Sequence, residues 1–558
     1  MKQSKCPQKI ESACALPKLC GSDVELSNFI EGTRQMGSTG GEAAHALLNE
    51  IKGLPKQRER IYAGAKWPSS AAYPRAGTGV HSTPYISSGG WDFNPQDVGR
   101  RFLPTSGFSA YIDMDHLEIC AGEVISAFDQ CAARKAMLNA ARNALDRANA
   151  KQPADRTIKV LVNNSDGLGH SWGSHLSILI QRQTFDNLLW RKPLHLQFLA
   201  SFQVSNILLS GQGKVGAENG QPDVHYQISQ RADFFECLLG VQTTQNRPIV
   251  NSRDESLTGR RFFDGQAEPA RLHIIFYDSN LADGSCILTV GTTQLILTML
   301  ELGLVNPQLV LDDPLEAVVQ YSHDPSLKAR AELISKKRVT ILELQRSFLE
   351  EAKRHAAQGI FEGIVPRYEE IIALWEDTLN KFTANDLPAL APRLDWVMKY
   401  MAIERAMELN PSLDWDSPEI KMLDGMYSSL GDDGLFRIYD AGGFTEHLIP
   451  DERVNYFTEN PPEDTRAWTR AMLLQRAMSD GVEVESVDWD RITFRMRSRY
   501  AWPSYRTLEL ANPFGFTREE AEPIFEACEE FTDLLDGLES LATDSSSDLL
   551  TCTTTDHQ

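Results

Sequence analysis

Two carboxylates one residue apart, Asp23 and Glu25 in GSDVELS, could hold a hard divalent cation. Residues two apart in a strand share a face, and oxygen ligands of this kind suit Mg²⁺. The alternative is a solvated acidic edge. A denser group, Asp113, Asp115, His116, Glu118 and Glu123, lies in and just after the β-like run AYIDMDHLEI. Strict alternation puts Asp113 and Glu118 on opposite faces, so they converge only if the strand breaks near His116–Leu117; otherwise the run is an exposed acidic strand end. Asn163, Asn164, Asp166, Gly167, Gly169 and Gly173 then form a polar, glycine-rich turn leading to His175. Such a turn lets backbone approach a ligand closely. His175 is either a metal ligand through a neutral imidazole or a structural histidine.

Arg231, Arg247, Arg253 and Arg271 lie close together in an acidic chain, and Arg466 follows later in PPEDTRAW. Guanidinium forks match phosphate and carboxylate, although each could equally be paired with an acid. GQGKVG at 211–216 has the spacing G-x-G-x-x-G. A dinucleotide site needs a strand before the motif and a helix opening at its third glycine. Here a helix-like segment precedes and a turn-like AENGQPDV follows, so a loop is the better reading. No serine-hydrolase elbow, H-E-x-x-H or Walker motif occurs.

The elements that position these groups alternate irregularly. Patterning predicts strands at 110–119, 157–164 and 271–280, and helices at 123–150, 195–210 and 291–304. A mostly helical stretch runs from 326 to about 410, and a compact unit with strands around 489–496 and a helix over 517–541 ends the chain. The expected organisation is a flexible tail over 1–15, a large catalytic domain over 16–475 with a loop-rich excursion at about 33–104, a small C-terminal domain over 476–541 and a disordered tail over 542–558. With 558 residues, more than one core is expected.

A formal net charge of −22 argues against nucleic acid or an anionic membrane as partner. No run of about 18 apolar residues suggests a transmembrane helix, and a cytoplasmic location is expected. None of the nine cysteines falls in a C-x-x-C pair, so reduced thiols are expected.

Longer strings carry more. YQISQRADFFE at 226–236, TTQNRPIVNSRDE at 243–255, RLHIIFYDSNL at 271–281, GTTQLIL at 291–297, WDSPEIKMLDGMYS at 415–428 and PPEDTRAW at 461–468 together resemble the Pup ligase and Pup deamidase/depupylase family, a carboxylate–amine ligase group related to glutamine synthetase. ISQRADFFE and GTTQLIL look more like the deamidase/depupylase branch. The resemblance implies an α+β fold: an antiparallel β-sheet cradle flanked by helices, with a small C-terminal α/β domain. It implies ATP and Mg²⁺ as cofactors and a small Pup-like protein modifier, with its conjugates, as partner. GSDVE is similar to the family's GTEVE and YIDMDHLEICAGE to YVDHAHPEYSSPE, which implies metal ligands at Asp23, Glu25 and Glu118 and the essential aspartate at Asp113. NNSDGLGHSWGSH resembles NNVDGKGASYGTH and places His175 near the metal or nucleotide. Arg231, Arg253, His273 and Arg466 fall on nucleotide- or phosphate-contacting strings. This chain differs in having Asp23 for a glutamate, Leu117 for a proline, DESL for DEPH after Arg253, and no acid directly after His175.

The function expected from the resemblance is deamidation of a modifier's C-terminal glutamine, or cleavage of its isopeptide bond to lysine. The alternatives are a ligase that forms that bond through a γ-glutamyl phosphate, and a non-catalytic member that binds nucleotide or modifier.

Overall fold

A computed structural model describes residues 15–31, 39–55, 99–254, 269–496 and 504–544. The tail expected over 1–15, apart from its last residue, most of the 33–104 excursion and the C-terminal tail beyond 544 lie outside these residues.

The centre of the molecule is an eight-stranded sheet. Its strands are β1 (Cys20–Glu31), β2 (Leu54–Pro55), β3 (Arg101–Phe102), β4 (Ser109–Asp113), β5 (His116–Val124), β6 (Thr157–Leu161), β7 (Ser174–Gln181) and β8 (Pro269–Ile274). The order is β8-β7-β1-β5-β4-β3-β2, and β6 pairs with the far half of β1. All these pairings are antiparallel. The twelve residues of β1 reach both ways: Cys20–Val24 pair with β7 and Ser27–Glu31 with β6, while Cys20–Leu26 pair with β5 on the other edge.

Period-two alternation divides the sheet into two faces. Val24, Leu26, Leu117, Ile119, Leu176, Ile178, Leu272 and Ile274 are buried in one continuous apolar core. At about 1.5–3 kcal/mol for each fully buried aliphatic side chain, this face fixes the register, since a slip of one residue would expose all of it. Beneath it pack α1 (Gly40–Glu50), α2 (Ala127–Asn149) and a helix running from Asp283 to Glu301. Ser126 caps α2 by accepting a hydrogen bond from the Phe128 N–H, and the buried side of α2 is rich in alanine, which lets it lie close to the strands. The Asp283–Glu301 helix is buried all round and apolar on most sides, as expected of a helix in the middle of a core. A disulfide joins Cys131 to Cys286 on these two helices, against the expectation of reduced thiols. The partners are 155 residues apart, so no local spacing announces them.

The helical layer also departs from expectation. Residues 330–340 form a short β-hairpin, with Lys336 at positive φ in its turn. The helix begins only at Ile341, where Thr340 and Glu343 form a capping box.

A second apolar core lies at the C-terminal end. It unites the helix Ala467–Asp480, the antiparallel strands Glu483–Val487, Arg491–Met496 and Ser504–Glu509, and the helices Arg518–Ala527 and Phe531–Asp544. Phe102 of β3 inserts into this core. The 475/476 boundary expected from the sequence falls inside the Ala467–Asp480 helix, whose Trp468, Leu473 and Leu474 pack in this second core.

Candidate active site

The second face of the sheet is polar and lines a cavity of about 1170 Å³. The pairing register explains why. Asp23 and Glu25 face it from β1; Glu118 stands opposite Glu25 on β5; Tyr111 stands opposite Glu118 on β4, with Asp113 two residues further along. His175 stands opposite Asp23 on β7, and His273 pairs with Ser177 across β7 and β8.

Asp113 and Glu118 converge because the expected single strand is a hairpin. It turns at Met114–Asp115, with Met114 at φ +51°. The break falls two residues earlier than His116–Leu117. A β-bulge then places Glu123, which alternation alone would turn away, in the cavity wall: Ser22 pairs with Ala121 but Cys20 with Val124.

Carboxylate oxygens of Glu25, Asp113 and Glu118 lie within 4.8 Å of one another. Glu118 is only 1% exposed. Burial, and then the charges of Asp23 and Glu25, push its carboxyl well above the usual range and outweigh a hydrogen bond from Tyr111. Asp23 is shifted the other way. Burial raises it, but a 3.2 Å hydrogen bond with His175 Nδ1 and the positive potential of His175 and Arg271 bring it below the usual carboxylate range. Asp23 and His175 therefore form a pair beside the three clustered carboxylates, with His175 Nε2 4.0 Å from Glu25 Oε1.

The rings of His273 and His175 meet edge to face at 4.8 Å. Burial, then the charges of His175 and Arg271, lower the His273 imidazole well below its ordinary value. It is thus neutral, and its buried Nε2 has no hydrogen-bond partner among the described residues.

Arg253 and Arg271 line the same cavity. Arg466 lines its other end, where it bridges to Glu123 at 2.8 Å and donates to the Leu510 carbonyl, linking the sheet to the C-terminal core. Arg231 does not line the cavity; it is buried and donates to the Ile275 carbonyl. Of the residues singled out from sequence, then, Asp23, Glu25, Asp113, Glu118, His175, Arg253, His273 and Arg466 share one cavity and Arg231 stands behind its wall.

The sequence reading passed over Tyr111, which period two from Asp113 would have included. It also passed over Arg100, whose guanidinium lies 3.6 Å from the Tyr111 ring centre, and Trp172, which stacks on His116 at 4.9 Å.

The Pup-ligase protein family matches residues 69–493. The chain belongs to that family. A depupylase of Acidothermus cellulolyticus is 30% identical over 453 residues, covering 79% of this chain and 84% of that protein. A Pup–protein ligase of Paenarthrobacter aurescens is 29% identical over 431 residues, covering 76% and 89%. Among solved structures, the Pup ligase PafA in complex with ADP superposes with a TM-score of 0.65 at 25% identity, covering 86% of this chain and 99% of that one. The Pup-ligase family thus brings both reaction directions among this chain's relatives, at nearly equal identity.

Proposed function

We propose that the protein is an ATP- and Mg²⁺-dependent enzyme acting on the C-terminal glutamine or glutamate of a Pup-like modifier, in the deamidase/depupylase direction. The supporting observation is the cluster of Glu25, Asp113 and Glu118, within 4.8 Å and facing one cavity. Three carboxylates so close, one of them fully buried, fit a hard divalent ion. The neutral His273, with its orphaned Nε2, adds a nitrogen donor. Glu25 and Glu118 would hold the ion, with Asp23 and His175 orienting them. When bound, it would neutralise the carboxylates and the phosphate oxygens of ATP.

Arg253 and Arg271 supply positive charge for phosphate. The cavity is large enough for a nucleotide together with an extended peptide end. Asp113, beside the turn of the hairpin, is placed on the substrate side. As nucleophile it attacks the side-chain carbonyl of the modifier's terminal residue and expels the protonated amine, leaving a mixed anhydride that water then hydrolyses to regenerate Asp113; as base it takes a proton from the attacking water and the departing amine takes up a proton as the C–N bond breaks. Either route releases ammonia from glutamine, or the lysine amine from an isopeptide, and leaves a glutamate carboxylate. Tyr111 holds Glu118 by its hydrogen bond.

The ligase direction is the second reading, favoured by the ligase relatives. Intact-mass analysis decides between the two. A Pup-like protein ending in glutamine is incubated with enzyme, ATP and Mg²⁺. Conversion of amide to acid with little ATP turnover supports the proposal. Conjugate formation with stoichiometric ATP consumption supports the ligase, and ATP binding without either product supports a binding protein. Asp113→Asn should abolish conversion, and amide cleavage at the normal rate would remove Asp113 from the chemistry.

A further inference from the structure

We infer that Glu218, far from the carboxylate cluster in sequence and absent from the cavity wall, is a positioning residue that latches the glycine-rich loop 165–173. The inference rests on the proposed function only for its kinetic consequence.

The side chains of Glu218 and Lys214 are about 95% buried and pair at 2.6 Å. Lys214 also contacts Asp233 at 3.4 Å and donates to the Gln230 carbonyl. The lysine of GQGKVG is therefore spent on an internal network. Glu218 accepts from the Gly169 N–H at 2.8 Å and from the Ser165 hydroxyl. All three of its partners are donors, so a carboxylate satisfies them together, whereas a glutamine would turn an NH₂ toward one of them.

The loop it grips reaches the site at both ends. Asp166, Gly169 and His170 line the cavity. At the far end the Gly173 carbonyl accepts from the Glu25 N–H at 3.1 Å. An added Cβ at Gly173 would collide with His175 Nε2 and come within 2.7 Å of Glu25 Oε1. There is no slack between the loop and the acidic cluster, so a loop released at Ser165 and Gly169 shifts what borders Glu25. Within the loop, Asp166 accepts from the Leu168 N–H at 2.8 Å and the His170 N–H at 3.1 Å, and the Ser165 hydroxyl accepts from the Gly167 N–H at 3.0 Å. Gly167 and Gly169, both at positive φ with open space around them, leave this tip without packing against the body, and Glu218 ties it to the buried network of Lys214.

The test uses the full chain with Glu218→Gln and, as a milder variant, Ser165→Ala. Hydrogen exchange is followed by peptide, along with melting temperature and, in the modifier assay, kcat and KM. Expected for Glu218→Gln is faster exchange confined to 163–175, an unchanged melting profile and a fall in kcat of roughly ten- to a hundredfold with KM for ATP held. Ser165→Ala should show the same pattern more weakly. Unchanged loop exchange in either folded variant overturns the latch, as does faster loop exchange with kcat unaltered. Faster exchange spread over the whole chain would make Glu218 merely structural. Wild-type protein inert on the modifier would sink the proposed function, but the exchange data would still decide on the latch.

Discussion

The two faces of the central sheet are made by the same strands, yet they obey opposite rules. On one face Leu26, Leu117 and Ile178 are packed against α2 and its neighbouring helix, and any hydrophobe of the right size would serve. On the other, Glu25, Asp113 and Glu118 are packed against one another, an arrangement that lowers stability unless something cationic joins it. The apolar face supplies the rigidity that the polar face draws upon. Up to the bulge that brings in Glu123, residue parity along β1 and β5 thus sorts the apolar core from the acidic cluster.

The largest effect should come from the polar face where it is fully paired. Glu123 bridges the buried Arg466 and Arg470. Glu123→Gln removes the carboxylate that both guanidinia share and should cost about 4 kcal/mol in denaturant unfolding. Burial pushes the Glu123 carboxyl up, but Arg470 and Arg466 outweigh it and hold it at about 2. Because the folded value is depressed, this stabilisation is present above the ordinary carboxylate value of 4.5 and is lost as pH falls from there to about 2. That acid limb should be shallower in the variant by about 3 kcal/mol. Equal limbs would show that the pair does not form.

Leu26→Ala on the apolar face should cost about 3 kcal/mol through lost burial and a cavity. Nucleotide affinity of the folded fraction, measured by titration calorimetry, should not change. An altered affinity would mean that the two faces are mechanically coupled.

The smallest effect should have the opposite sign. Glu118→Gln removes a carboxyl that burial and its neighbours hold far above its usual range. In chelator the variant should be more stable, by on the order of 1 kcal/mol, and if the proposed Mg²⁺ site forms, it should lack the rise in melting temperature expected of the wild type on adding Mg²⁺. A variant less stable in chelator would place a permanent cationic partner beside Glu118.

Much of this division was legible in the sequence. Period two placed Asp23 with Glu25 on one face. The convergence of Asp113 and Glu118 was not legible, because it depends on a turn at Met114–Asp115 that carries no glycine or asparagine to announce it. The strings shared with the Pup-ligase family supplied that step instead. The helical reading of 330–340 failed because a three-residue strand leaves no usable periodicity. Glu218 gave no signal at all: its role comes from contacts 49 and 53 residues away.

The hairpin at Met114–Asp115 carries one more consequence. Side-chain orientation is counted from that turn, so the site is indexed rather than merely composed. Exchanging one acid for another alters a single contact. Adding or deleting one residue within β5 before Glu118 would instead rotate the rest of that strand by half a period, sending Glu118 into the core and Ile119 into the cavity. Such length changes should be far less tolerated here than point substitutions, and a library that varies β5 in length would show it as a sharp gap in recovered variants.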